Sequence, residues 1–208
     1  MVKASSLTRP KASKLGRARV IWFLVIFAFF IAVAGLQVSI NRETISTLEL
    51  FNPAGSAGTA FIVYHPGLSN LQAELSSAFA KGLTEKGWRV ERSTTSQAAP
   101  TDLANYDLLV LGVHTYWWAP DGPTIRYLQR LSNLHKKPTV ALLSALGASG
   151  RSERLTRARI EAVNGKVIHV MPFWVMRPND ENDARPNHEV ALAKAYQEGL
   201  KVAEDLRR

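Results

Sequence analysis

From about Thr59 onward, short and fully apolar runs alternate with longer stretches in which apolar residues recur every three or four positions. Ala60-Phe61-Ile62-Val63-Tyr64 is the first run, the pattern of a strand covered on both faces. Leu71, Leu75, Phe79 and Leu83 then repeat at helical spacing, and Gly87 supplies the stop. Trp88 to Arg92 alternates, which predicts a strand with one wetter face at the edge of a sheet. Asp107 to Val113 is the strongest buried-strand signal, followed by a helix with Ile125, Leu128 and Leu131. Pro138 to Leu143 predicts a fourth strand, and Leu155, Ala158, Ala162 and Val163 the helix after it. Lys166 to Val170 predicts a fifth strand, and Leu192, Tyr196, Leu200 and Ala203 a last helix. Five strands alternating with helices predict a doubly wound α/β sheet.

The segment Val20–Ile40 breaks this rhythm. It holds no charge over 21 residues, about the length that lets a helix cross a bilayer. The sequence divides accordingly into a basic amino terminus (1–19), a transmembrane anchor (20–40), a linker (41–58) and a folded domain (59–208). Asn52-Pro53-Ala54-Gly55-Ser56-Ala57-Gly58, rich in turn formers and small residues, is the reason to expect a linker. The alternative to an anchor is a cleavable signal peptide, because Ala32-Val33-Ala34 before Gly35 resembles a cleavage site; the apolar run is longer than the usual signal core. The positive charges before the segment predict a cytoplasmic amino terminus and an extracytoplasmic domain.

Charge and composition narrow the function classes. Of the formal net charge of +9, Lys3, Arg9, Lys11, Lys14, Arg17 and Arg19 supply six, with no acid among them. The folded part is therefore close to neutral for its size, and no basic, aromatic patch within it predicts nucleic-acid binding. Zero cysteines exclude disulfides, thiolate metal sites and thiol catalysis.

Candidate chemistry concentrates after three of the predicted strands. In a parallel sheet those carboxyl ends border a ligand crevice at the topological switch point. His65-Pro66-Gly67-Leu68-Ser69-Asn70 opens a helix, where free N–H groups favour an anion: Gly67 permits close approach, and Ser69 and Asn70 either contact that anion or simply cap the helix. Thr115-Tyr116-Trp117-Trp118 places three large aromatics beyond a buried strand, suited to a flat ring. The alternative for one tryptophan is to cover the adjoining helix or form the interface of a homodimer. Gly147 and Ala148 sit in a glycine-rich turn that would let backbone amides approach a ring edge. The set suits a ligand with an anionic end and a flat ring.

The tract Leu111-Gly112-Val113-His114-Thr115-Tyr116-Trp117-Trp118 is similar to the L-G-S-P-T-Y-W/Y pattern of the flavodoxin family, and the resemblance spans roughly Thr59 to Met176. Its continuation through Pro120, Pro123 and Tyr127-Leu128 also resembles flavodoxin-like quinone reductases. The resemblance implies a five-stranded parallel sheet of order 2-1-3-4-5, FMN as cofactor, and a redox partner protein or quinone. Carried onto this sequence, it implies Gly67, Ser69 and Asn70 for phosphate, Thr115, Tyr116 and Trp117 for the ring, and Gly147 with Ala148 for its far edge. Two departures stand out: the family's T-x-T-G-N-T phosphate loop is replaced by His65 to Asn70, and His114 stands where proline is common. In the implied order His65 and His114 end adjacent strands and are expected to meet in the crevice, to recognise phosphate or flavin or to tune a potential.

Rival readings fail on specific residues. A metal site would have two histidines and Asp121, a poor ligand set; a receiver domain needs carboxylates where the histidines stand. Ser144 and Ser149 do not lie in G-x-S-x-G. A flavin-free module that serves as a tethered binding domain remains the alternative, supported by the altered first loop.

Overall fold

The computed structural model describes residues 14–207, so the expected basic residues Lys3, Arg9 and Lys11 lie outside the described residues. The chain divides after Ser39 into two units. The first is helix α1 (Lys14–Asn41) up to that residue. Its segment Ala18–Asn41 is long and apolar enough to cross a membrane, and its large apolar side chains from Val20 to Val38, Val33 excepted, are exposed. A helix apolar all round is one that lipid or protein must cover.

The second unit begins at Ile40. In chain order it contains β1 (Glu49–Phe51), β2 (Thr59–Tyr64), α2 (Leu71–Glu85), β3 (Arg89–Thr94), β4 (Leu108–Tyr116), β5 (Ala119–Pro120), α3 (Gly122–Arg130), β6 (Pro138–Ala145), α4 (Gly150–Ala162), β7 (Lys166–Trp174) and α5 (Asn187–Asp205). The sheet order is β1-β3-β2-β4-β6-β7, with β5 paired to β4. Its parallel part, β3-β2-β4-β6-β7, is the expected 2-1-3-4-5 arrangement.

The inner strands β2, β4 and β6 are apolar on both faces because helices cover both faces. Alternate residues supply the two halves of the core. Ile62, Val110 and Leu142 face Phe79, Leu83 and Trp88 on the α2 and α5 side. Phe61, Leu109, Leu111 and Leu143 face Tyr127, Leu128 and Ile160 on the α3 and α4 side. Close approach of α2 and α5 depends on Gly199, where a Cβ would lie 2.3 Å from the Phe79 carbonyl.

Two features go beyond the sequence expectation. Over residues 41–58, where composition suggests a linker, β1 pairs antiparallel with β3, Leu50 opposite Glu91. Strand β3 is therefore covered by β1 rather than being the outermost strand. Arg92 locks this pairing: its Nε donates to Glu49 at 3.0 Å while its guanidinium lies 5.3 Å from the ring centroids of both Phe51 and Tyr64. The chain before β1 runs along the carboxyl edge of the sheet. There the Ile40 carbonyl meets His65 Nε2 at 3.0 Å, the Asn41 carbonyl accepts from Arg126 at 3.0 Å, and Ser46 exchanges hydrogen bonds with Thr94.

Candidate functional site

Strand order reverses between β2 and β4, and the loops after β2, β4 and β6 border that point. The loop after β4 is shaped by Asp121. This residue caps α3 by accepting from the Thr124 amide at 2.8 Å, and its second oxygen accepts from the His114 amide at 2.8 Å. The Asp121 amide returns a bond to the His114 carbonyl at 2.9 Å. So clamped, the chain doubles back with Tyr116 opposite Ala119, leaving Trp117 and Trp118 as a two-residue turn. Both have positive φ, 52° and 58°, as a type I′ hairpin turn demands. That turn normally selects Asn-Gly; a bulky residue in the left-handed region costs on the order of 1–3 kcal/mol and persists where its surroundings impose it. The result is that both indoles stand more than half exposed at the tip, 55% and 59%.

Beside this tip lies a cavity of about 280 Å³ lined by Thr115, Trp117, Trp118, Leu146, Gly147 and Ala148. The structure thus brings together five of the residues expected around a ring and adds Leu146, whose apolar side chain is exposed. Nothing in the pattern distinguished Leu146 from an ordinary turn residue. None of the six side chains is an acid or a base. The floor is held by a bond from the Thr115 hydroxyl to that of Ser152 at 3.1 Å, and the neighbouring wall by one from Trp174 Nε1 to Ser149 Oγ, also 3.1 Å.

Tyr116, His114 and His65 form a different layer. His65 and His114 do meet, ring centroids 5.9 Å apart, but both are buried. His65 Nε2 points to the Ile40 carbonyl and its buried Nδ1 has no partner among the described residues. His114 Nε2 lies 3.1 Å from the Pro66 carbonyl and its Nδ1 lies 2.8 Å from Ser144 Oγ. Burial lowers the His114 pKa, against the nearby Asp121 carboxylate, which raises it. Tyr116 stacks on His114 at 5.5 Å, and burial raises its pKa although the Leu68 amide faces its hydroxyl.

Gly67, at φ 66°, is where this layer meets the first loop: a Cβ there would lie 2.3 Å from His114 Nε2 and 2.8 Å from the Tyr116 hydroxyl. The protein's own side chains occupy the space beside Gly67. Ser69 and Asn70 remain exposed; Asn70 precedes α2 without a side-chain cap bond. They border a second cavity of about 350 Å³ whose wall includes Trp174, Asn187 and the pair Glu74–His188, 2.8 Å apart. Asn187 and Asn179 form a network missed in the sequence, because asparagines in a polar loop carry no signal of burial: Asn179 accepts from the Trp174 amide at 2.9 Å and anchors the loop before α5.

No family model and no curated protein matches the sequence. Solved structures do match the fold. A flavodoxin from the domain Archaea superposes with a TM-score of 0.58 at 18% identity, covering 72% of this chain and 99% of its own. Flavodoxin 2 from Bacillus cereus gives 0.57 at 15%, covering 71% and 99%. The NAD(P)H:quinone oxidoreductase from Methanothermobacter marburgensis gives 0.54 at 17%, covering 71% and 96%. The second unit of this chain therefore has the flavodoxin-like fold, with an antiparallel strand added beyond β3 and an apolar helix before it.

Proposed function

We propose that this chain is a membrane-anchored redox protein that holds FMN at the carboxyl edge of its sheet. The observation that carries the reading is the cavity between the Trp117–Trp118 turn and Leu146–Ala148. It offers flat apolar surface and no proton-transfer group, so any chemistry there comes from a bound group. The fold likeness to flavodoxins and to a quinone oxidoreductase supports the choice. FMN would supply electron storage and transfer.

The residues present fit the ring end directly: Thr115, Trp117, Trp118, Leu146, Gly147 and Ala148 would hold it. At the anionic end Tyr116 and His114 fill the space beside Gly67, so phosphate recognition falls to Ser69, Asn70 and the first turn of α2. His65 and His114 then act behind the site, fixing the loop rather than touching phosphate. The acceptor is a quinone or a redox partner protein; α1 favours one that lives in or at the membrane. The basic residues before Val20 support a cytoplasmic amino terminus and a domain on the other side.

The occupied space beside Gly67 also favours a second reading, a flavin-free module that uses its exposed aromatics to bind a partner or a second copy of itself. Flavin binding by the full-length chain and by Trp117→Ala separates the two. Loss of binding in the variant supports the ring site; equal binding in both removes the cavity as the flavin site, and no binding in either favours the second reading.

A further inference from the structure

Within the second unit, apart from Ile45, Leu48 and Leu50 in the segment that leads into and forms β1, the exposed large apolar side chains among the described residues lie on one edge. Leu68 follows β2, Trp117 and Trp118 follow β4, Leu146 follows β6, and Val175 and Met176 follow β7. Their exposures run from 53% to 77%. The loops at the opposite edge present Ser132, Asn133, His135 and Lys136 instead. Scattered surface apolar residues are ordinary, whereas such one-sided gathering marks a surface that something covers.

The chain itself indicates what covers it. The last residues of the apolar helix, Ile40 and Asn41, are fixed to this same edge through His65 and Arg126, and Arg126 Nε also donates to Glu43 at 3.0 Å. A bilayer that contains residues 18–40 must therefore end within a residue or two of the carboxyl edge. Tryptophans at a hairpin tip are side chains suited to the headgroup region, with an apolar body and a polar N–H.

We infer that the carboxyl edge of the sheet rests on the lipid surface, with Leu68, Trp117, Trp118, Leu146, Val175 and Met176 as its contact. The inference rests on the anchor reading of α1. Its consequence is that the ring cavity opens toward lipid, so an apolar electron acceptor dissolved in the bilayer reaches it without crossing bulk water.

Because the chain has no cysteine, one introduced thiol gives one label. The full-length chain is prepared as Met176→Cys at the rim and as Ser132→Cys at the far edge, each carrying an environment-sensitive fluorophore. Both are reconstituted into vesicles of phosphatidylcholine with a minority of phosphatidylglycerol, with and without phosphatidylcholine bearing a nitroxide on its headgroup. The expected result is flotation of both variants with the vesicles and several-fold stronger nitroxide quenching at position 176 than at 132. Flotation with equal quenching overturns the lipid contact and leaves the anchor standing. Failure to float overturns both. A rim label shielded from aqueous iodide yet untouched by nitroxide lipid overturns it in favour of a protein partner. Each result is read without flavin.

Discussion

The Ser144 hydroxyl lies 2.8 Å from Nδ1 of His114, while the Pro66 carbonyl on the other side of the ring decides which nitrogen carries hydrogen. Nε2 faces the Pro66 carbonyl, which can only accept, so Nε2 is the donor and Nδ1 accepts from Ser144. The neutral ring thereby bridges the end of β6 to the first loop, and Tyr116 stacks on its face.

This arrangement predicts a pH dependence with a definite sign. Burial holds the His114 pKa below its ordinary 6.5, so between the two values the unfolded chain binds more protons. The stability contributed by the neutral ring is complete above about pH 6.5 and declines as pH falls toward the folded value, by at most about 1.4 kcal/mol per pH unit. Urea unfolding at about pH 7.5 and about pH 5.5 checks it: the wild type should lose more stability on acidification than His114→Gln. Equal losses would assign the dependence to other groups.

The Trp117–Trp118 turn predicts a trade between stability and ligand capture. Replacing it by Asn-Gly relieves two left-handed bulky residues, and stability should rise by about 1–3 kcal/mol. Flavin affinity should fall together with the lost indole surface. Thermal unfolding and flavin titration on the same double variant measure both sides.

Gly67→Ala should be strongly destabilising, by more than about 2 kcal/mol, because the new Cβ meets His114 and Tyr116 in a backbone conformation that disfavours it. Chemical denaturation reads the loss. Gly67→Ala with Tyr116→Phe should recover only part of it, since His114 Nε2 is the nearer atom.

Much of the fold is legible in the sequence because burial on both faces of β2, β4 and β6 writes itself as unbroken apolar runs. The strand order and the place of the crevice follow from those runs and the family resemblance. Strand β1 is not legible: three residues at an edge leave no period, and Asn52-Pro53 after them suggests a linker. Nor is the docking of residues 40–46, since much of it runs through main-chain groups, the carbonyls of Ile40, Asn41 and Thr44 and the Ser46 amide, which carry no sequence signal. At the site, the aromatic loop is visible but its turn is not, because Trp-Trp lacks the Asn-Gly signature. The meeting of His65 and His114 follows from adjacent strands; their partners, Ile40, Pro66 and Ser144, could come only from packing.

The division of the site into a ring end and an anionic end is separately testable. The double variant Ser69→Ala with Asn70→Ala should weaken FMN binding about tenfold, or about 1.4 kcal/mol, while leaving riboflavin affinity unchanged. Equal weakening of both ligands would place these residues at the ring or in the loop's support.

The central claim is that a flavin sits at the carboxyl edge of this sheet, and the most direct measurement is the visible absorption spectrum of the full-length chain before and after addition of FMN. The account predicts a stoichiometric flavin spectrum with quenched flavin fluorescence. A colourless chain that leaves added FMN fully fluorescent would contradict it.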